Sequence, residues 1–147
     1  MAQFPSKEIA QRSYDFRTLG LGFANLGGLL MASGVGYDSD EGRNLCASIS
    51  ALMTGIAYET SAEIASEMGA FPGYKKNSDD MLRVIRNHKR AAFGENTDYE
   101  GLSIYPVPLT PKDAQSKKVT KAAKKAWDKA LKPVSYTHLT LPPIYSV

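Results

Sequence analysis

The sequence predicts a mostly α-helical segment with one or two short strands. Three observations predict it. Apolar residues recur at helical spacing over about residues 39–68, 79–93 and 111–132. Glycine and proline clusters punctuate these runs. Extended readings are confined to two short pieces, 16–21 and 99–108. A chain of 147 residues with 43% hydrophobic and 22% charged side chains has the length and composition of one globular domain with a real core.

The organising stretch runs from Phe16 to Gly34. It carries one charge, Arg17, and five glycines. Phe16–Leu21 reads as extended, and Phe23–Ser33 as a helix ended by Gly34. Small residues on such a helix point to close packing inside a larger body. Gly20-x-Gly22 is not a dinucleotide-binding turn, because the third glycine of GxGxxG falls on Asn25 and no following acidic ribose binder can be placed. No Gly-Lys-Ser/Thr follows, which excludes a P-loop. The stretch gives architecture rather than chemistry.

The flanking elements follow in order. Ser6 caps a helix over Lys7–Tyr14, with Ile9 on its apolar side. Asp38 or Ser39 caps a long helix to Met68, stopped by Gly69; Asp38-x-x-Glu41 approximates a capping box. Two stripes mark that helix. One is Leu45, Ile49, Leu52 and Ile56; the other is Cys46, Met53, Ala57, Thr60, Ile64 and Met68. Together they predict burial over more than half its circumference, with the preceding helix as nearest partner. About thirty residues make about 45 Å of helix, which needs several neighbours. Asn77 or Ser78 caps a helix over Asp79–Phe93. Met81, Leu82, Ile85 and Ala92 face inward on it, and Arg83, Arg86, Lys89 and Arg90 mostly outward. Tyr99–Pro108 is extended but kept from a central strand by Pro106 and Pro108. Thr110-Pro111 starts a last helix over 111–132, with Val119, Ala122, Ala123, Ala126, Trp127, Ala130 and Leu131 on one side and Pro133 as terminator.

Charge is uneven. Residues 112–132 hold eight lysines and two aspartates, or +6, so the rest of a chain of net +3 carries −3. No apolar run is long enough for a membrane span. The N-terminus lacks a basic region followed by an apolar core, which argues against secretion. The single cysteine fits a reducing, cytoplasmic compartment.

Candidate chemistry is sparse. Cys46 lies mid-helix on an apolar stripe and reads as a buried structural cysteine, without a neighbouring base to activate it. His88 stands among cations and reads as a surface or capping residue. Glu59 and Glu63 share a helix face and read as solvated or salt-bridged. Lys75, Lys76, Arg83, Arg86, Lys89 and Arg90, like the lysines of 112–132, read as solvated faces, with no interleaved aromatics to stack bases. No residues have metal-ligand spacing.

Four blocks together carry a family resemblance. They are 16–31 (Phe-Arg-Thr-Leu-Gly-Leu-Gly-Phe-Ala-Asn-Leu-Gly-Gly-Leu-Leu-Met), 37–43 (Tyr-Asp-Ser-Asp-Glu-Gly-Arg), 81–88 (Met-Leu-Arg-Val-Ile-Arg-Asn-His), and 99–103 (Tyr-Glu-Gly-Leu-Ser) with 106–109 (Pro-Val-Pro-Leu). They resemble an internal part of the large catalytic chain of adenosylcobalamin-dependent (class II) ribonucleotide reductase, over about residues 6–132. The first block is shared more loosely by other ribonucleotide reductases.

The resemblance implies that residues 1–133 are part of a ten-stranded α/β barrel domain, truncated at both ends. It implies adenosylcobalamin as cofactor of the parent, a ribonucleotide substrate, a dithiol reductant such as thioredoxin, and the rest of the parent chain as partner, with no membrane and no nucleic acid. It implies a ribonucleoside-diphosphate reductase that works by thiyl-radical chemistry. The family's thiyl cysteine belongs upstream, and its Ala-Pro-Thr-Gly-Thr phosphate loop belongs downstream. No catalytic role passes to Cys46, no metal ligand is assigned, and Gly20 and Gly22 are placed near the barrel interior without a ligand. The segment alone is expected to be inactive scaffold. The competing reading is a small helical nucleic-acid binder using the lysine-rich helix 112–132. Burial of Trp127 and Leu131 against partners separates the two.

Residues 134–147 differ in kind, with no ionised side chain and many β-branched residues. They resemble the translation of a transposase adapter used in sequencing libraries. They are expected to be a non-native tail that does not pack on residues 6–132.

Overall fold

In the computed structural model, residues 3–134 and 145–146 are described. Ser6 accepts a hydrogen bond from the Ile9 amide at 3.3 Å and caps α1, Lys7–Phe16. This helix runs two residues past the expected Tyr14 and stops where Arg17 turns left-handed at φ 49°. Phe16 therefore belongs to a helix, and the extended piece shrinks to β1, Gly20–Leu21. Asn25, also left-handed at φ 66°, delays α2 to Leu26–Ala32 rather than Phe23–Ser33. The Gly34 stop stands: Gly34, at φ +66°, donates to Met31, and Val35 donates to Leu30.

Ser39, not an Asp38–Glu41 box, caps α3, Asp40–Met68, by accepting from the Gly42 amide at 3.0 Å. Gly42 is required there. A Cβ would lie 2.8 Å from the Gly36 carbonyl oxygen.

The face that α3 buries corrects the stripe reading. Leu45, Ser48, Thr54, Gly55, Tyr58, Ser61, Ala62 and Ala65 are buried, while Ile56, Ile64 and Met68 are exposed. Its main partner is α5, Ala114–Val134, rather than α2. Small residues let these two helices approach closely. At Gly55 a Cβ would sit 3.1 Å from Trp127 Nε1 and 3.2 Å from Ala126 Cβ. The Ser48 and Thr120 hydroxyls meet at 2.8 Å inside the contact. Ala123, Ala126, Trp127 and Ala130 are buried as expected and Leu131 packs on the core, but Ala122 is exposed.

α4 runs Tyr74–Phe93 and starts five residues before the expected Asp79. Tyr74 is buried in its first turn against Phe71, ring centroids 5.7 Å apart. Asn77 does not cap; its side-chain amide donates to the Gly73 carbonyl at 2.8 Å. Met81, Ile85 and Ala92 are buried and Leu82 packs behind them, as the amphipathic pattern requires.

At the start of α5, Asp113 accepts from the Ser116 amide at 2.7 Å, so the helix begins after Asp113 rather than at Pro111. The Thr110 amide instead donates to the Asn44 side-chain oxygen at 3.3 Å and ties the loop to α3. Pro133 does not end α5 at once, because the helix runs one residue further to Val134. The extended piece 99–108 forms no strand; the second short strand is instead β2, Tyr145–Ser146, in the tail expected not to pack on residues 6–132. It pairs parallel with β1, Gly20 opposite Tyr145 and Leu21 opposite Ser146. The tail positions Tyr136, Leu139, Leu141, Pro142, Pro143 and Ile144 lie outside the described residues.

Candidate functional site

Two of the quoted motif blocks meet in space. Asn87, buried on α4, forms two hydrogen bonds with the backbone of Glu100. Its side-chain amide donates to the Glu100 carbonyl at 2.9 Å, and its side-chain oxygen accepts from the Glu100 amide at 2.9 Å. That is the bonding a neighbouring strand would offer, supplied by one side chain.

The Glu100 carboxylate is held at the same time by Arg86 and Arg90. Arg86 Nε lies 2.9 Å from Oε1 and Nη2 lies 2.6 Å from Oε2; Arg90 Nη1 lies 2.7 Å from Oε1. The fork of Arg86 followed by the second guanidinium of Arg90 lowers the Glu100 pKa from 4.5 to about 2. The same bond raises Arg86. Asp98 at φ 64° and Gly101 at φ +67° bend the loop so that Glu100 faces α4. Tyr99 is buried beside it and donates its hydroxyl to the Glu95 carbonyl at 2.7 Å. This arrangement fixes a loop, since every acidic oxygen is occupied by a cation and none faces an open cleft as a proton acceptor.

The other candidates are placed as follows. His88 is a surface residue on α4 rather than a cap. It is exposed, as the surface reading expects, but one ring face is occupied: it stacks on Trp127, centroids 5.3 Å apart and planes within 2°. Loss of hydration around the ring pushes its pKa below the ordinary value. Trp127 is 1% exposed and donates its indole N–H to the Ala51 carbonyl at 3.0 Å. Glu59 pairs with Lys129 across the α3–α5 contact, in keeping with a salt-bridged face, and Glu63 is exposed. Lys89 pairs with Asp128 at 2.8 Å and Arg83 with Asp80 at 2.8 Å, so part of the basic run closes on acidic partners within the chain.

Cys46 is half-buried rather than buried, because its stripe on α3 is only partly covered. Gly20 and Gly22 stand in open space: an added Cβ would meet nothing within 4 Å. Among the described residues no group of three or more His, Cys, Asp or Glu comes together. No helix among them is long and apolar enough to cross a membrane. Sequence reasoning missed the Asn87–Glu100 clamp. The two partners lie thirteen residues apart, and one of them is backbone, which leaves no side-chain pattern to read.

The comparisons bear on this geometry. The family model described as "Ribonucleotide reductase, barrel domain" matches residues 1–136. A vitamin B12-dependent ribonucleotide reductase of Bradyrhizobium diazoefficiens is 62% identical over 131 residues, which are 89% of this chain and 10% of that protein. A second, from Agrobacterium fabrum, is 59% identical over 131 residues, again 89% and 10%. A third, from Streptantibioticus cattleyicolor, is 41% identical over 131 residues, 89% of this chain and 20% of that protein. The chain thus spans about a tenth of the length of the first two relatives.

Proposed function

We propose that this chain, which belongs to the ribonucleotide reductase barrel-domain family, is an internal scaffold segment of a cobalamin-dependent reductase. The parent would convert ribonucleotides to deoxyribonucleotides for DNA synthesis. The observation that carries this reading is the 62% identity over 131 residues with a vitamin B12-dependent enzyme. The geometry supports the scaffold role. The motif residues Gly42, Arg86, Asn87 and Glu100 are engaged in a cap and a clamp. Burial of Trp127 against α3 supports a packing role for α5 over a free basic helix.

The parent would use adenosylcobalamin as radical source, with a dithiol protein such as thioredoxin restoring its cysteines, in the cytoplasm. Its barrel would be ten-stranded, with β1 as one strand and the five helices as part of the outer layer. No residue of this segment is assigned to the cofactor. Cys46 is the only cysteine of the chain. His88, the only histidine among the described residues, lies flat on Trp127. No reaction step is therefore assigned to this segment. Residues 134–147 would be a non-native tail; the family match ends at residue 136 and leaves all but the first three of them outside.

Two measurements test the proposal. Extending the gene in both directions should reveal a cysteine-bearing loop motif upstream and Ala-Pro-Thr-Gly-Thr downstream. The purified 147-residue chain, given ribonucleotide, adenosylcobalamin and dithiothreitol, should yield no deoxynucleotide, since one cysteine cannot supply both a thiyl radical and a reducing pair. Product formation by the chain alone would overturn the scaffold reading.

A further inference from the structure

We propose that the groove between α1 and α4 is the seat of one further segment of the parent chain, an apolar segment that carries an acidic side chain. This rests on the reading of the chain as an internal part of a larger reductase. The starting observation is an imbalance in α1. The helix is amphipathic, yet none of its ten residues is buried. It is nevertheless firmly placed. The Gly73 amide donates to the Asp15 carbonyl at 3.0 Å. The Phe16 ring lies against Gly73, where a Cβ would come within 2.8 Å, and its centroid is 6.3 Å from that of Phe71. A helix pinned at its C-terminal end and unburied along its length leaves an apolar face open for a partner.

The groove it leaves holds about 500 Å³, walled by Ile9, Phe16, Tyr58, Phe71, Met81 and Val84. Ile9, Phe16 and Val84 on its rim are exposed. Such an apolar hollow is poorly hydrated and gains from being filled. Its rim is not neutral. Asp80 is already paired with Arg83 at 2.8 Å, whereas Arg12 has no acidic partner among the described residues. An occupant with apolar side chains and one carboxylate therefore matches both the wall and the unpaired guanidinium. The occupant comes from the parent itself, because about nine-tenths of each of the first two relatives lies outside the matched region.

The test uses the intact reductase encoded by the extended gene. Ile9 is replaced by the photo-crosslinker p-benzoylphenylalanine and the products are mapped by mass spectrometry. The expected result is a crosslink within the same polypeptide, to an apolar segment outside residues 1–136 that holds an Asp or Glu. A crosslink to a second subunit or to bound nucleotide, or no crosslink at all, overturns the proposal. In parallel, Arg12→Glu should lower the thermal midpoint of the intact enzyme, by no more than about 2 °C in so long a chain. Changing the crosslinked acid to lysine should restore it. The same Arg12→Glu in the 147-residue chain should leave its urea midpoint where it was. An intact enzyme indifferent to Arg12→Glu overturns the proposal even where the crosslinker disturbs folding. If the extended gene lacks the reductase motifs, the functional reading fails and this one with it. Failure of the crosslink or the charge reversal in a genuine reductase defeats this one alone.

Discussion

Gly55 is where two opposing terms can be weighed. An alanine there gains about 1 kcal/mol of helix propensity over glycine. It also pushes a Cβ to 3.1 Å from Trp127 Nε1 and 3.2 Å from both Trp127 Cδ1 and Ala126 Cβ. Overpacking of this kind costs about 1–3 kcal/mol. If the indole tips away, its 3.0 Å bond to the Ala51 carbonyl weakens as well, a further ~1 kcal/mol. Gly55→Ala should therefore range from neutral to about 3 kcal/mol destabilising. Gly55→Leu has no such balance. Three more carbons have no space between the helices, so α3 and α5 must part and Trp127 must lose its burial. That should cost at least about 3 kcal/mol, the scale of losing a buried Trp side chain. The control is Gly28→Ala in α2, where an added Cβ meets nothing within 4 Å. It should be stabilising by up to about 1 kcal/mol. Urea unfolding followed at 222 nm gives the midpoints. Trp127, the sole tryptophan, reports the contact directly, and its emission should move to the red in Gly55→Leu. A Gly55→Leu protein with wild-type emission and midpoint would refute the close α3–α5 packing.

Asn87→Ala strips both partners from the Glu100 backbone and should cost about 1–3 kcal/mol in the same urea assay; a change below 0.5 kcal/mol would mean that the clamp is not formed. Glu100 has its folded pKa lowered from 4.5 to about 2, so its contribution is fully present above pH 4.5 and is lost as pH falls toward 2. The stability gap between wild type and Glu100→Gln should accordingly narrow across that window, and a gap that does not change between pH 6 and pH 2 would contradict the Arg86–Glu100–Arg90 cluster. Deleting residues 134–147 should change the urea midpoint by no more than the equivalent of about 0.5 kcal/mol, since the tail's described backbone pairing with β1 is two residues long. A loss of several kcal/mol would make the tail part of the fold.

How much of this was legible depends on where each residue's partner lies. α4 and the inner face of α5 could be read from spacing because their apolar residues find partners within the chain, as Met81, Ile85, Ala126 and Trp127 do. The Ser6 cap and the Gly34 and Gly69 stops are local and carried their own signal. α3 was misread for a physical reason. It has more apolar surface than the segment can cover, so periodicity marked Ile56, Ile64 and Met68 while packing chose the face of small residues that lets α5 come close. Ser48 and Ser61, fully buried on that face, have no hydrophobic signature at all. The starts of α4 and α5 were missed because Tyr74 and Asp113 compete with nearer capping residues, and packing or a single hydrogen bond decides between them. The candidate site followed the same rule. Arg86, read from sequence as part of a solvated face, Asn87, which carried no reading of its own, and His88, read as a surface or capping residue, contact Glu100 and Trp127, partners thirteen or more positions away. The apolar residues left uncovered on α1 and α3 are what the proposed seat for further protein of the parent chain would require, in a chain whose match spans about a tenth of its first two relatives.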